Sequence, residues 1–223
     1  MDRIVDCTDP SGLLAGVRQA RQTLGRGGLA VIPTDTVYGI AADAFNPDAV
    51  AALLAAKGRG RQQPPPVLIS GLAGLSALAD PVPDALREAL AELWPGGLTV
   101  VLPAMPSLAW DLGETRGTVA LRVPDHTLTR ELLAETGPLA VSSANRTGNP
   151  AARTAAEAYQ ELGDRVDVYL DAGPTGNLPA STIIDAVDWV SDRGPLRILR
   201  DGAVSIERLR EVFGADAVAD PAP

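Results

Sequence analysis

The chain has 223 residues, 46% hydrophobic, 21% charged and only 4% aromatic, so it is an ordinary globular composition whose core must come from Ala, Val, Leu and Ile. A formal charge of −9, from 28 acids against 19 bases, excludes a protein that relies on broad attraction to nucleic acid or anionic lipid, although it leaves room for a local basic groove. One cysteine, Cys7, and one histidine, His126, rule out an internal disulfide and a Cys/His zinc site by count.

The first ten residues lack the basic and long apolar regions of a signal peptide, and no apolar run reaches membrane-spanning length; the cytoplasm is the expected compartment. Strand and helix signals then alternate. "RIVD" predicts a short strand, and residues 11–28 a helix capped by Ser11 and stopped by Gly27 and Gly28. "LAVIP" (29–33) is a buried strand, "TDTVYGIAADAF" (34–45) a loop, and 47–56 a helix with Asn46 at its N-cap. Further strands are expected at 67–70, 98–104, 118–124, 139–144, 166–173, 181–186 and 196–200. Helices are expected near 71–79, 83–93, 126–136, 154–162 and 205–213. This alternation predicts one α/β domain over residues 1–213 with a large mixed sheet, followed by a flexible tail at 214–223.

Polar clusters fall where strands end, which is where open α/β sheets place ligands. "PTDTVYG" (33–39) supplies two hydroxyls and a carboxylate directly after a strand; a cap or turn is the competing reading. "KGRGR" (57–61) sets the chain's only lysine, Lys57, beside Arg59 and Arg61, a point charge with planar forks suited to neighbouring phosphates. It lacks the Gly-Lys-Ser/Thr order of a Walker loop, and a solvated cationic loop is the alternative. In "LAVSSANRTGNP" (139–150) a strand runs into Ser143 and Asn145, either a nucleotide contact or a turn with positive φ at Asn145, Gly148 and Asn149. Arg122 lies inside an apolar strand and needs a partner, which a structural carboxylate or a ligand's carboxylate would supply equally well. His126 reads as a first-turn surface histidine behind a capping Asp125, and Asp43 and Asp171 are single carboxylates that define no metal site.

In this order, "PTDTVYGIAADAFN", "AAKGRGR", "WPGGLTVVL", "VALRVPDH", "SSANRTGNP" and "STIID…ILRDG" together resemble the YrdC-like family of L-threonylcarbamoyladenylate synthases, over residues 10–213. The resemblance implies a twisted α/β sheet of the YrdC-like (DHBP synthase-like) type with a concave cationic groove. It also implies synthesis of threonylcarbamoyl-adenylate from L-threonine, bicarbonate and ATP, with release of pyrophosphate. A partner transferase complex would then modify tRNA, with at most weak tRNA contact by this chain. On this basis Lys57 and Arg59 would hold the ATP phosphates catalytically, with Thr118, Ser143, Asn145 and Arg200 on the nucleotide. Thr34, Tyr38, Arg122, the backbone at Val141 and Ser181 would bind L-threonine. Mg²⁺ is expected with ATP, without assignable protein ligands.

The chain departs from that pattern in several places. Gly60 and "RQQPPPV" replace a simpler proline stretch, Leu68 and Ile69 lie where a histidine is frequent, and Ser142 stands where proline often precedes S-A-N. Ala151, Ala180 and Asp201 replace a serine, a glutamate and a proline, and the second domain that some members add is not expected here. A non-catalytic RNA-binding module and a related carbamoyl-transfer protein are the alternative functions, and the charge of −9 favours a small cationic site over a broad RNA surface.

Overall fold

The computed structural model describes residues 3–220. Its first half comprises β1 (Ile4–Asp6), α1 (Pro10–Gly25), β2 (Ala30–Ile32), β3 (Gly39–Asp43), α2 (Pro47–Lys57), β4 (Val67–Leu68), α3 (Leu75–Leu78) and α4 (Asp84–Leu93). It continues with β5 (Leu98–Pro103), β6 (Thr118–Arg122), α5 (Thr127–Thr136), β7 (Leu139–Ser143), α6 (Ala155–Leu162), β8 (Val168–Asp171), β9 (Thr182–Asp185), β10 (Arg197–Arg200) and α7 (Ile206–Phe213). The strands form one mixed sheet of ten in the order β1-β8-β2-β3-β7-β4-β6-β5-β9-β10.

Local chemistry explains most boundaries. Asp9, not Ser11, caps α1, accepting from the amides of Ser11 and Gly12 at 2.8 and 2.9 Å, because Pro10 already occupies the first helical turn. Asn46 caps α2 as expected, and Gly58 ends that helix in the left-handed region at φ 67°. The expected loop at 34–45 is a polar turn only as far as Tyr38. Gly39–Asp43 then pairs antiparallel with both β2 and β7, and tertiary pairing overrides its weak Gly/Ala strand propensity. Asp125 caps nothing; His126 is itself the residue before α5 and makes no side-chain capping bond. Residues 214–220, expected as tail, instead run back along the sheet edge. Val218 is buried and bridges to Leu196, and Ala219 N–H donates to the Leu196 carbonyl. Residues 221–223 lie outside the described residues. Among the described residues no helix is long and apolar enough to cross a membrane.

Burial follows the period of two along the strands. Ala30, Ile32, Ala41, Val168 and Leu170 pack with α1 and α5 on one face, while Val31, Ile40, Ala42 and Tyr169 pack with α2 and α6 on the other. Farther along the sheet, Leu98, Val100, Leu102, Leu121 and Ile184 pack against Leu86, Leu90 and Leu209 from α4 and α7. The alternate residues of those same strands face a cavity.

Leu132, fully buried between α5 and the sheet, tests this packing. Leu132→Ala is expected to cost about 2–5 kcal/mol in urea unfolding. Leu14→Ala, at a position 66% exposed on α1, should stay within about 0.5 kcal/mol. Equal losses would contradict the described faces.

Candidate active site

The cavity has a volume of about 420 Å³, within the usual range of small-molecule sites. Its floor is the uncovered face of the second half of the sheet: Thr99 and Val101 from β5, Thr118, Ala120 and Arg122 from β6, Val141 and Ser143 from β7, and Ile183 from β9, preceded by Ser181. Each set is spaced by two, so a strand that buries Val100 or Leu121 beneath presents a polar or small residue above. The walls are the turn 34–39, the proline run Pro64–Pro66 with Leu68, the segment from Leu112 to Thr115, and Ala180, Leu199 and Arg200.

All five expected threonine-side residues line this space. Thr34 organises the turn: its hydroxyl donates to the Val37 carbonyl at 2.6 Å and accepts the amides of Thr36 and Val37. Tyr38 is fully buried and donates to the Gly173 carbonyl at 2.6 Å, and burial raises its phenol well above the ordinary value. Ser181 shares a hydrogen bond of 2.8 Å with Thr99 and accepts from Arg200 at 3.0 Å. The Val141 amide is already committed to the Pro66 carbonyl at 2.8 Å, so its side chain, not its N–H, faces the cavity.

Arg122 has a protein partner. Its Nη2 meets Asp35 Oδ1 at 2.6 Å with both side chains nearly buried, Nη1 donates to Thr36, and Nε donates to the Gly96 carbonyl. Burial pushes its guanidinium down, and Asp35 pulls it back up. Three of five N–H groups are thereby used, leaving two for a ligand. His126 lies near the same carboxylate; burial lowers its pKa, Asp35 and Asp125 oppose the shift, and its Nδ1 is buried without a partner.

The cations divide into two kinds. Arg59 and Arg200 line the cavity. Arg59 donates to Ser142 at 3.1 Å and Thr147 at 3.3 Å, so the serine that departs from the family pattern anchors this guanidinium. Arg200 clasps the Ser181 carbonyl through Nε and Nη2 at 3.0 and 2.7 Å. Burial lowers the pKa of both, and Arg122 and Arg59 add to the depression at Arg200, as three neighbouring positive charges would. Lys57 differs: it is 1% exposed, does not line the cavity, and donates to the carbonyls of Ser143 and Asn145, the latter at 2.7 Å. Burial and Arg59 push its pKa down to about 7, with Glu161 opposing. The solvated-loop alternative therefore fails for Lys57, which braces the 143–145 turn from behind.

Thr118 and Ser143 line the cavity, Thr118 with its hydroxyl on the Thr115 carbonyl at 2.8 Å. Asn145 does not. Its Nδ2 closes the turn onto the carbonyls of Arg146 and Asn149, and its buried Oδ1 has no partner. Of the three positive-φ positions foreseen in that turn, only Gly148 adopts one. Asp35 and Thr36, read as part of the polar cluster after β2, and Ser142, noted as a departure from the family pattern, also belong to the site, and Thr99 completes it without having been singled out. Thr99, a lone hydroxyl in an apolar strand, was the available signal. Among the described residues no cluster of three or more His, Cys, Asp or Glu could hold a metal, and Glu114 is the one carboxylate on the cavity lining. This donor set does not fit a protein-held Mg²⁺.

The Sua5_yciO_yrdC family model, described as "Telomere recombination", matches residues 22–202. A Mycobacterium tuberculosis protein is 48% identical over 219 residues, covering 98% of this chain and 99% of the relative. The threonylcarbamoyl-AMP synthase of Bacillus subtilis is 36% identical over 201 residues, covering 89% of this chain and 56% of that protein. The crystal structure of P. abyssi Sua5 complexed with L-threonine superposes with a TM-score of 0.88 at 29% identity, covering 97% of this chain and 62% of that chain, so this chain spans less than two thirds of that longer protein. By sequence over most of its length and by architecture, the chain belongs to the Sua5/YciO/YrdC family.

Proposed function

We propose that this enzyme joins L-threonine, bicarbonate and ATP into threonylcarbamoyl-adenylate, releasing pyrophosphate, as the first step of threonylcarbamoyl-adenosine formation in tRNA. The observation that carries this is one cavity in which Arg122, Arg59 and Arg200 converge over a floor of hydroxyls and small apolar side chains. A second support is the L-threonine complex of the similar P. abyssi Sua5.

In this reading the two free N–H groups of Arg122 take the threonine carboxylate, Thr34 and Ser181 flank its polar atoms, and Val141 and Leu68 meet its methyl. The amine, in its neutral form, adds to bicarbonate with loss of water, and a carbamate oxygen attacks the α-phosphorus in line as the bond to pyrophosphate breaks. No strong base lines the cavity, so positioning and neutralisation of phosphate charge by Arg59 and Arg200 supply the acceleration. Magnesium would travel on the phosphates, and no step is assigned to it. The labile adenylate requires a downstream transferase complex to consume it.

Incubation with ATP, bicarbonate and labelled threonine should give the adenylate and pyrophosphate, and serine should react less well by about 1–3 kcal/mol for the missing methyl. No product, with tight salt-sensitive RNA binding instead, would replace this function by the RNA-binding one. Asp35→Ala strands the buried Arg122 charge and should cost about 3–5 kcal/mol of stability. Asp35→Asn, which keeps an acceptor, should lose less and raise the KM for threonine; an unchanged KM would detach Arg122 from the amino acid.

Lys57 gives a pH test. Its folded pKa of about 7 lies below the unfolded 10.5, so the unfolded chain binds more protons between these values and the group's contribution to stability improves as pH rises through that window. Its positive charge at the site is lost over the same rise. Stability relative to Lys57→Met should therefore grow above about pH 7 while kcat/KM gains a falling limb there. Flat profiles for both would show that its two carbonyl acceptors keep it protonated.

A further inference from the structure

Arg61 is the third cation of "KGRGR", yet it does not line the cavity. Its guanidinium reaches Asp111 Oδ1 at 2.8 Å, and its carbonyl accepts the Glu114 amide at 2.8 Å. Asp111 Oδ1 also accepts the Gly113 amide at 3.0 Å. The fit is backbone to backbone: Gly113 sits at φ 109°, and a Cβ there would stand 2.6 Å from the Arg61 carbonyl oxygen. Two walls of the cavity are joined at this point, the loop carrying Pro64–Pro66 and the segment carrying Leu112, Glu114 and Thr115.

The connection continues inward. The Thr115 carbonyl accepts both the amide and the hydroxyl of Thr118, at 3.0 and 2.8 Å. The proline loop is tied at its far end through the Pro66 carbonyl to the Val141 amide, and at its near end by Gly58 at the end of α2. Between them Arg59 holds the loop to Ser142 and Thr147, and Arg61 is the anchor to the segment before β6. Of the threonine-side groups, Thr34, Arg122 and Ser181 make no hydrogen bond to Arg61, Asp111 or Gly113, and Val141 meets only the far end of the proline loop.

We infer that Arg61 is a positioning residue: with Asp111 and Gly113 it clasps the proline loop to the segment before β6 and so sets the nucleotide half of the cavity, leaving the amino-acid half untouched. This rests on the proposed synthase reaction for its substrates. The clasp itself is read independently by titrating wild type and variants with ATP alone. Arg61→Ala should raise the Kd and KM for ATP about 2- to 5-fold, the range available to an exposed ion pair, with kcat and the KM for threonine unchanged. Arg61→Lys should restore binding, and adding Arg61→Ala to Asp111→Ala should weaken it no further. Gly113→Ala, which forces the two backbones apart without removing a charge, should weaken ATP at least as much. An unchanged ATP Kd in Arg61→Ala and Gly113→Ala overturns the clasp, as does a fall in kcat at saturating ATP, which would make Arg61 a direct phosphate contact. A wild type that binds ATP but forms no adenylate overturns the reaction instead, and the Kd comparison still decides the clasp.

Discussion

The ion pair between Asp35 and Arg122, 2.6 Å long and nearly out of solvent, is the contact on which the site depends. Asp35 belongs to the turn after β2 and Arg122 to the end of β6, so the pair joins the two halves of the sheet. Withdrawing both charges from water is costly, and the structure offsets that cost with ordinary hydrogen bonds: Thr36 and the Gly96 carbonyl hold the guanidinium, and the Asp125 amide holds the carboxylate. The guanidinium is consequently fixed in one orientation before any ligand arrives. Such preorganisation lets binding energy go into orienting a ligand instead of ordering the protein.

The sheet's asymmetry supplies the space that this pair guards. Strands β2, β3 and β8 carry apolar residues on both faces because helices cover both. Strands β5, β6 and β9 are covered on one face only, and their free positions hold Thr99, Thr118, Arg122 and Ile183. A single pattern therefore builds core and site together, and a shift of register by one residue would exchange them.

Much of this was legible in the chain. Nine of the ten strands and the main helices follow from apolar runs punctuated by Gly, Pro and capping residues, and the polar clusters at strand ends do mark the cavity. β3 was hidden because Gly39 and the alanines become a strand only between two neighbours. The direction of Lys57 was hidden because its acceptors lie 86 and 88 residues away, and no local rule distinguishes a lysine facing phosphate from one tied to carbonyls. The same distance obscured Asp35 as the partner of Arg122, 87 residues apart, and Asp111 as the partner of Arg61, 50 apart. Val218 hid in a stretch of alanine and aspartate whose composition suggests fraying, and it is packing against Leu196 that places it.

The buried position of Lys57 has one practical consequence. No other lysine exists in the chain, so the only side-chain amine open to acylation is shielded behind the turn that carries Ser143 and Asn145. Because burial and Arg59 lower the pKa of that amine, protonation restrains its acylation less than it would on an exposed lysine, and access becomes the larger control. Amine-directed reagents at the ε position would thus report how often the Lys57 brace lets go, a single-site clock for opening of the 143–145 turn written into the composition of the protein.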